Sequence, residues 1–516
     1  MKIMSDPKRF ILFKNLRNLF GMVKPRFKVI SYQGVDLDLL DLLLSPLYLA
    51  ALQAEYKAID EVIPFRILPV KQKISQFPKR LWAHMEYFLQ DRKRSKLVQL
   101  NKTQNTKADI VFWPVEPTHL DQQIPIAKIF TEKGVQFNFI TNKINIYNNI
   151  RQAGFNAQFI DIKPYLIPLN HFDITELCDQ IDINNLQSTT PIIDRKIVDY
   201  VSFTIGNMFD IVSMLIGYIF EFIDMVKPRI IVVGNDLTLE GRIATRICKA
   251  IGINSACIMH GSIAGELWHG LHIVDNYFVY GQLAKDYLTS LGIQPQNLIV
   301  SGAPYIDRLS VAKKSVHPMI RKKLRLKNDD GFILLALSQP GYCPSYEHFN
   351  SVVESVVKLS AHKPEINIIA KLHRGDNKKN YSKIKRQYPD NRLYVVENGR
   401  KGYPQNIYDW LAGSKLVITG ASTVALEAML MKVPVVTVDY MNEYQKVDFI
   451  DMGATIQVKT ETELFKAVQE VFYSPEKFNN VMEKASQYIE SYFYKPDGKA
   501  SKRIADHLAQ IRTASA

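Results

Sequence analysis

Short runs of Val, Ile, Leu and Phe recur from residue 108 onward, each closed by a polar turn and followed by a longer stretch with apolar residues at helical spacing. Such runs predict buried strands, and the stretches between them predict helices. In the first half, strands are expected at 110–113, 137–141, 158–160, 230–234, 255–259, 277–280 and 298–300. Helices are expected at 144–153, 238–251 and 282–291, with 115–122 a polar loop entering a helix. Residues 28–105 read as helical and irregular, and 196–226 as one long helix or two. A second series places strands at 332–337, 366–371, 393–396, 417–419 and 435–438. Its helices fall at 346–359, 404–412 and 424–432. Three more close the chain near 461–473, 475–493 and 498–511, the last assigned back onto the first domain.

Strands alternating with helices imply parallel sheets covered on both faces. The expected class is therefore α/β, with two doubly wound Rossmann-like domains facing across a cleft. The divisions are an N-terminal extension (1–107), a first α/β domain (108–307), a basic connection (308–330), a second α/β domain (331–490) and a final helix (491–516). Ligands of such sheets sit at the carboxyl ends of the strands.

Composition changes this picture little. The chain has 516 residues, 47% hydrophobic and 22% charged, the balance of an ordinary globular enzyme. Its net charge of +14 favours anionic ligands or an anionic membrane surface. No finger, basic zipper or aromatic RNA motif accompanies that charge, so nucleic acid is not an expected partner. Cys178, Cys248, Cys257 and Cys343 are scattered without metal spacing, as reduced thiols in the cytoplasm would be. The apolar runs 36–54 and 208–226 carry Asp36, Asp38, Asp41, Asp210, Glu221 and Asp224, which argues against bilayer spans. Residues 1–27 interleave basic residues with Phe10, Ile11, Leu12, Phe13, Leu19 and Phe20. They are a candidate peripheral foot on the inner face of the plasma membrane, against the plainer reading of a solvated helix packed on the domain.

Candidate chemistry lies in the loops after strands. In the second half these are Ser338-Gln339, then Lys371 with His373-Arg374, then Gly420 with Ser422-Thr423. Small residues before a helix, with a hydroxyl cap, leave free N–H groups and a partial positive charge suited to phosphate. Cations from the neighbouring loop would add to that cradle. Glu427, within the same helix, is a candidate ribose or sugar contact. In the first half, Asp236 and Glu240 follow one strand and His260 the next, while Glu116, His119 and Asp121 follow an earlier one. A carboxylate or imidazole there could deprotonate a hydroxyl. The candidate bases run Asp236, Glu240, His260, Asp121, with helix capping the plainer role for Asp236 and Asp121. Trp268, His269 and His272 could line an acceptor surface, although buried aromatic packing is their commoner fate. No Asp-x-Asp metal motif occurs in a suitable loop, so no metal or other cofactor is expected.

Taken in order, VVGNDLTLEGRIATRICKAIGINSACIMHG, DNYFVYG, SGAPYID, KLHRGD and ITGASTVALEAMLMKVPVVTVDY resemble the nucleotide-sugar enzymes of GT-B fold over roughly 230–451. One branch is the bacterial surface-polysaccharide glycosyltransferases of capsule, teichoic-acid and sialyltransferase-like types. These have His-Pro after a strand and Ser-Ser or Ser-Thr at a later helix start, positions held here by His373-Arg374 and Ser422-Thr423. The other is the non-hydrolysing UDP-N-acetylglucosamine 2-epimerases, which are similar in having His-Arg at that place. That family has a carboxylate just after the histidine corresponding to His260, where this chain has Gly261-Ser262. Retaining transferases with Glu-x7-Glu are similar around Glu427, but their first glutamate is Thr419 here. The resemblance implies a metal-independent glycosyltransferase. Its second domain would bind a nucleotide-sugar donor, and its first a glycan or lipid-linked acceptor of surface polysaccharide synthesis. The alternative is a nucleotide-sugar epimerase or hydrolase, and a third is a non-catalytic scaffold at a membrane surface.

Overall fold

Runs of wholly buried branched residues form the central strands, as parallel sheets covered on both faces require. The structure, a computed structural model, describes residues 29–32, 35–38, 107–160, 212 and 215–514. Within the last span, 262–266, 312–317, 326–330, 341–343, 374–375, 398, 400–402, 405, 445–446, 475 and 477–478 are excepted. Residues 1–27, Cys178, Cys343, Ser262 and Arg374 thus lie outside the described residues. The chain divides into two compact units, the first comprising residues 1–280, 284–305 and 500–516, the second 281–283 and 306–499.

Strands β1 (Val29–Tyr32) and β2 (Val35–Asp38) pair antiparallel. The helical and irregular expectation for 28–105 is corrected at these two segments; the remainder of that span lies outside the described residues. Val35-Asp36-Leu37-Asp38 alternates apolar and polar residues, which is a strand period.

The first unit's main sheet has seven parallel strands. They are β3 (Ile110–Trp113), β4 (Phe137–Thr141), β5 (Ala157–Phe159), β6 (Ile230–Val233), β7 (Asn254–Ile258), β8 (Asn276–Val279) and β9 (Leu298–Val300). Their order, β5-β4-β3-β6-β7-β8-β9, reverses direction between β3 and β6. Crossover helices are α1 (Pro117–Glu132), α2 (Ile144–Gln152), α3 (Leu239–Ala250) and α4 (Gln282–Ser290), with a further helix over 215–226. Helix α1 starts earlier than the polar loop expected there, because Pro117 is preset for the first helical position. Thr238 caps α3 by accepting from the Gly241 amide at 3.3 Å, so capping is not the role of Asp236. Nor does Asp121 cap α1, since it lies in the second turn and the N-cap is Glu116.

In the second unit, α5 (Pro318–Leu324) precedes β10 (Phe332–Leu335). There follow α6 (Tyr346–His362), β11 (Ile368–Lys371), α7 (Lys378–Lys385), β12 (Leu393–Val396), α8 (Ile407–Leu411), β13 (Ser414–Thr419), α9 (Thr423–Leu430) and β14 (Val435–Val438). Then come α10 (Asp448–Asp451), β15 (Ile456–Val458), α11 (Glu461–Tyr473) and α12 (Asn479–Phe493). The order β12-β11-β10-β13-β14-β15 is again all parallel, and it reverses between β10 and β13. Strand β15 and helix α7 were not expected: the first is three residues long and the second strongly basic, so neither carries a clear hydrophobic period.

The closing helix α13 (Ala500–Ala514) belongs to the first unit. Ile504, Ala505 and Leu508 enter the core with Ile126, Ala127 and Phe130 of α1. Arg503 Nε donates to the Ser301 carbonyl at 2.8 Å, and Arg512 Nη1 to Asp109 Oδ2 at 3.1 Å. Among the described residues, no helix is long and apolar enough to cross a membrane.

Candidate functional sites at two sheet edges

Each unit gathers polar side chains at the carboxyl ends of the strands flanking its switch point, where open α/β sheets take ligands. In the first unit these strands are β3, β6 and β7, which are adjacent. The loop after β3 turns into α1 and buries His119 to 2% exposure. Its Nδ1 accepts from the amides of Val115 (3.2 Å) and Glu116 (3.3 Å). The ring lies over Gly234 at the end of β6, where any Cβ would strike His119 Nδ1 and the ring carbons beside it. His260, after β7, meets it edge to face with 4.4 Å between ring centroids.

Asp236 is wholly buried in the β6–α3 turn. Its Oδ1 pairs with His272 Nδ1, and its Oδ2 accepts from the amides of Ile273 (2.6 Å) and Val274 (3.2 Å). His272 Nε2 in turn lies 3.5 Å from His269 Nδ1. Buried Arg242, two turns of sequence away on α3, donates to the Leu271 carbonyl at 2.7 Å and so anchors the segment that carries His272. Asp236 therefore stands in the structure as the orienting partner of an imidazole. Glu240, half-buried in the first turn of α3, accepts from Asn142 Nδ2 at 3.2 Å. Asp121 is exposed in the second turn of α1.

Burial controls the charge states. It lowers His119 to about 3, aided by His260. It lowers His260 to about 4, aided by His272 and opposed by Asp236. It lowers His269 to about 3, aided by His272 and His260 and opposed by Asp236. Burial alone would raise the Asp236 carboxyl, but His272, the Ile273 amide and Arg242 together hold it below the usual range. Neutral imidazoles around an ionised, fully bonded carboxylate are thus this edge's working state near neutral pH. Cys257 beneath them is a buried thiol whose pKa is raised by desolvation, which makes it inert.

The second unit's edge has a different character. Strand β10 lies between β11 and β13, which places Ser338-Gln339, Lys371-His373 and Gly420–Thr423 after three adjacent strands. Gln339, His373 and Thr423 are exposed, and Ser338, Lys371 and Ser422 half-buried. Ser422 Oγ caps α9, accepting from the Val424 amide at 3.4 Å, and no acidic residue occupies that helix's first turn. Thr419 Oγ1 ties β13 to the Ala336 carbonyl across the switch point at 2.6 Å. Glu427 Oε1 accepts from Tyr408 Oη of α8 at 2.9 Å.

Sequence reasoning missed the loop that closes over Gly420. A Cβ on Gly420 would strike the Tyr444 hydroxyl. Tyr444 is held there because wholly buried Asp439 accepts from the amides of Glu443 (2.7 Å) and Tyr444 (3.3 Å). Glu443 Oε2 accepts from the Ser345 amide at 3.0 Å and lies 3.1 Å from His348 Nδ1. His348 Nε2 accepts from the Tyr440 amide at 3.3 Å. The available signals were weak: a carboxylate ending a buried strand at Asp439, and His-x-x-His at 269 and 272. Among the described residues, no group of three or more His, Cys, Asp or Glu is placed to hold a metal ion.

The family model that matches is that of UDP-N-acetylglucosamine 2-epimerase, over residues 271–509. That is just under half of the chain, and it takes in the whole second-unit sheet. Among solved structures, the S. aureus MnaA–UDP complex is similar at 15% identity, covering 78% of this chain and 96% of its own, with a TM-score of 0.51. The UDP-GlcNAc 2-epimerase from Neisseria meningitidis bound to UDP-GlcNAc is similar at 14% identity, covering 78% and 99%, with a TM-score of 0.53. A glycosyltransferase from Rickettsia africae is similar at 12% identity, covering 79% and 99%, with a TM-score of 0.51. No curated protein matches the chain in sequence. These likenesses bear out the GT-B-like pair of Rossmann-like domains. They also correct the expected glycosyltransferase of capsule type. The fold hosts both chemistries, whereas the family model that matches is the epimerase one, the reading placed second above.

Proposed function

We propose that the chain is a nucleotide-sugar epimerase of the UDP-N-acetylglucosamine 2-epimerase type. The observation that carries this is the family-model match over 271–509, the span that holds the phosphate-suited edge of the second unit. There the uncompensated N-terminus of α9, its Ser422 cap and the backbone at Gly420 would take the diphosphate, with Lys371 and His373 adding charge and hydrogen bonds. Arg374 joins them from its place in the sequence.

The reaction suits such a division of labour. Inverting C2 of the sugar requires its C–H bond to break, and no carbonyl neighbours that carbon. Departure of UDP from C1, with loss of the C2 proton, leaves a C1–C2 double bond. Return of a proton on the other face and re-addition of UDP restore the sugar nucleotide with C2 inverted, and all atoms balance. Stabilising the departing diphosphate is the second unit's part. Among the candidate proton carriers of the first unit, Glu240 and His260 are half-buried and Asp121 is exposed, while Asp236 is wholly buried. Asp236 acts by fixing His272. No metal enters this scheme, because backbone dipoles and cations carry the phosphate charge.

Purified protein incubated with UDP-N-acetylglucosamine and no acceptor tests the proposal. The expected product is the C2 epimer at the nucleotide-sugar level. Turnover that appears only on adding a glycan acceptor, with sugar transferred to it, would overturn it. Release of UDP with free sugar would assign a hydrolase instead.

A further inference from the structure

Gly420 does not adopt a left-handed backbone conformation, so nothing in its own φ calls for glycine. What excludes a side chain there is Tyr444. A Cβ on Gly420 would strike the tyrosine's hydroxyl oxygen first and the ring carbon that bears it next. Glycine and tyrosine thus form one device at the end of β13. Ala421, Ser422 and Thr423, exposed or half-buried, follow directly and open the turn into α9. Three features aim Tyr444 at this turn. Asn442 takes the left-handed conformation, at φ 54°, that redirects the chain after β14. Wholly buried Asp439 accepts from the amides of Glu443 and Tyr444. Glu443 is tied to the start of α6 through the Ser345 amide and His348 Nδ1, and the His348 ring centroid lies 5.6 Å from that of Tyr444. The atom that this scaffold brings closest to Gly420 is the phenolic oxygen, which can both donate and accept hydrogen bonds.

Resting on the epimerase reading above, we propose that Tyr444 is a binding residue of the second unit, whose hydroxyl donates to the diphosphate of the nucleotide sugar at the start of α9. The helix-start amides and the Ser422 hydroxyl supply donors from the turn itself. The phenol adds one from the loop after β14. An ionised phosphate oxygen is a stronger acceptor than a neutral group, so it draws the phenolic proton to itself. In this role Gly420 is glycine so that the tyrosine hydroxyl can stand beside the anion.

The test is calorimetry of UDP and of uridine on the full chain, wild type beside Tyr444→Phe and Tyr444→Ala, with each thermal melt recorded first. Expected is a roughly tenfold loss of UDP affinity in Tyr444→Phe, the size of one hydrogen bond to a charged group, with uridine affinity and melting temperature unchanged. Tyr444→Ala should lose at least as much UDP affinity, which keeps the test open if the phenylalanine variant does not fold. A second pair of melts checks the geometry. Gly420→Ala should lower the melting temperature of the wild type but not of Tyr444→Ala, where the obstructing ring is gone. UDP affinity that is unchanged or increased in a folded Tyr444→Phe would overturn the inference and leave the tyrosine as packing over Gly420. Equal losses for UDP and uridine would overturn it too, because the diphosphate would not be what the hydroxyl touches. Failure of the wild type to bind UDP at all would instead bring down the epimerase reading on which it rests.

Discussion

The two sheet edges share a topology and differ in almost everything else. At the first, imidazoles surround a wholly buried carboxylate, Asp236, held ionised beside His272 and Arg242. At the second, the polar groups are exposed or half-exposed and include Lys371 and His373 beside an open helix N-terminus. The first edge holds neutral imidazoles in fixed geometry, and the second presents polar and basic groups that, on the proposed reading, would take the diphosphate. The lesson is that one fold can place positioning chemistry and electrostatic chemistry at equivalent points by choosing burial at one and exposure at the other.

The largest way to break this contrast is at Asp236. Replacing it by alanine leaves His272 and two buried amides without their acceptor, and the expected destabilisation is about 3–5 kcal/mol, read as a fall in denaturant midpoint. An undiminished midpoint would mean that the pair contributes nothing to the fold.

Acid attacks the same edge more gently. The folded-state pKa values of His119, His260 and His269 lie below the ordinary 6.5. Between 6.5 and those values the unfolded chain binds more protons than the folded one. Stability is therefore full above about pH 6.5 and falls as pH drops toward 4 and then 3. At pH 5 one such histidine accounts for on the order of 2 kcal/mol. Denaturation at pH 7.5, 6 and 5 should show this decline, and it should shrink in His119→Phe.

These groups explain how much could be read in advance. Strands 110–113, 298–300, 393–396 and 435–438 were legible because every residue or nearly every one is apolar and a polar turn follows. The second edge was legible for a similar reason. Gly420-Ala421-Ser422-Thr423 is one contiguous stretch, and its chemistry is that of a local helix start. At the first edge the residues were legible one by one but their contacts were not, because His119, Asp236, His260 and His272 come from four separate segments and meet only once the sheet is assembled. His119 was noticed as one of a trio with Glu116 and Asp121, yet its partners prove to be Gly234 and His260. Tyr444 was hidden for the same reason, since its place over Gly420 depends on Asp439 and the Glu443–His348 bond.

Smaller effects sharpen the second half of the comparison. His373→Ala is expected to weaken UDP binding about tenfold, as loss of a hydrogen bond to a charged group does, while the melting temperature stays put because the residue is exposed. Calorimetry beside a thermal melt separates these. Ser422→Ala removes the α9 cap and should cost about 1 kcal/mol of stability, with a modest parallel loss in UDP affinity. A loss confined to affinity would show that Ser422 serves the ligand alone.

The central claim is that the chain breaks and remakes the C2–H bond of a nucleotide sugar with no acceptor present. Incubation with UDP-N-acetylglucosamine in deuterated water, followed by proton NMR, reads that bond directly. The account predicts deuterium at C2 together with the appearance of the C2 epimer. A sugar nucleotide that is bound but keeps its C2 proton and its configuration would contradict it.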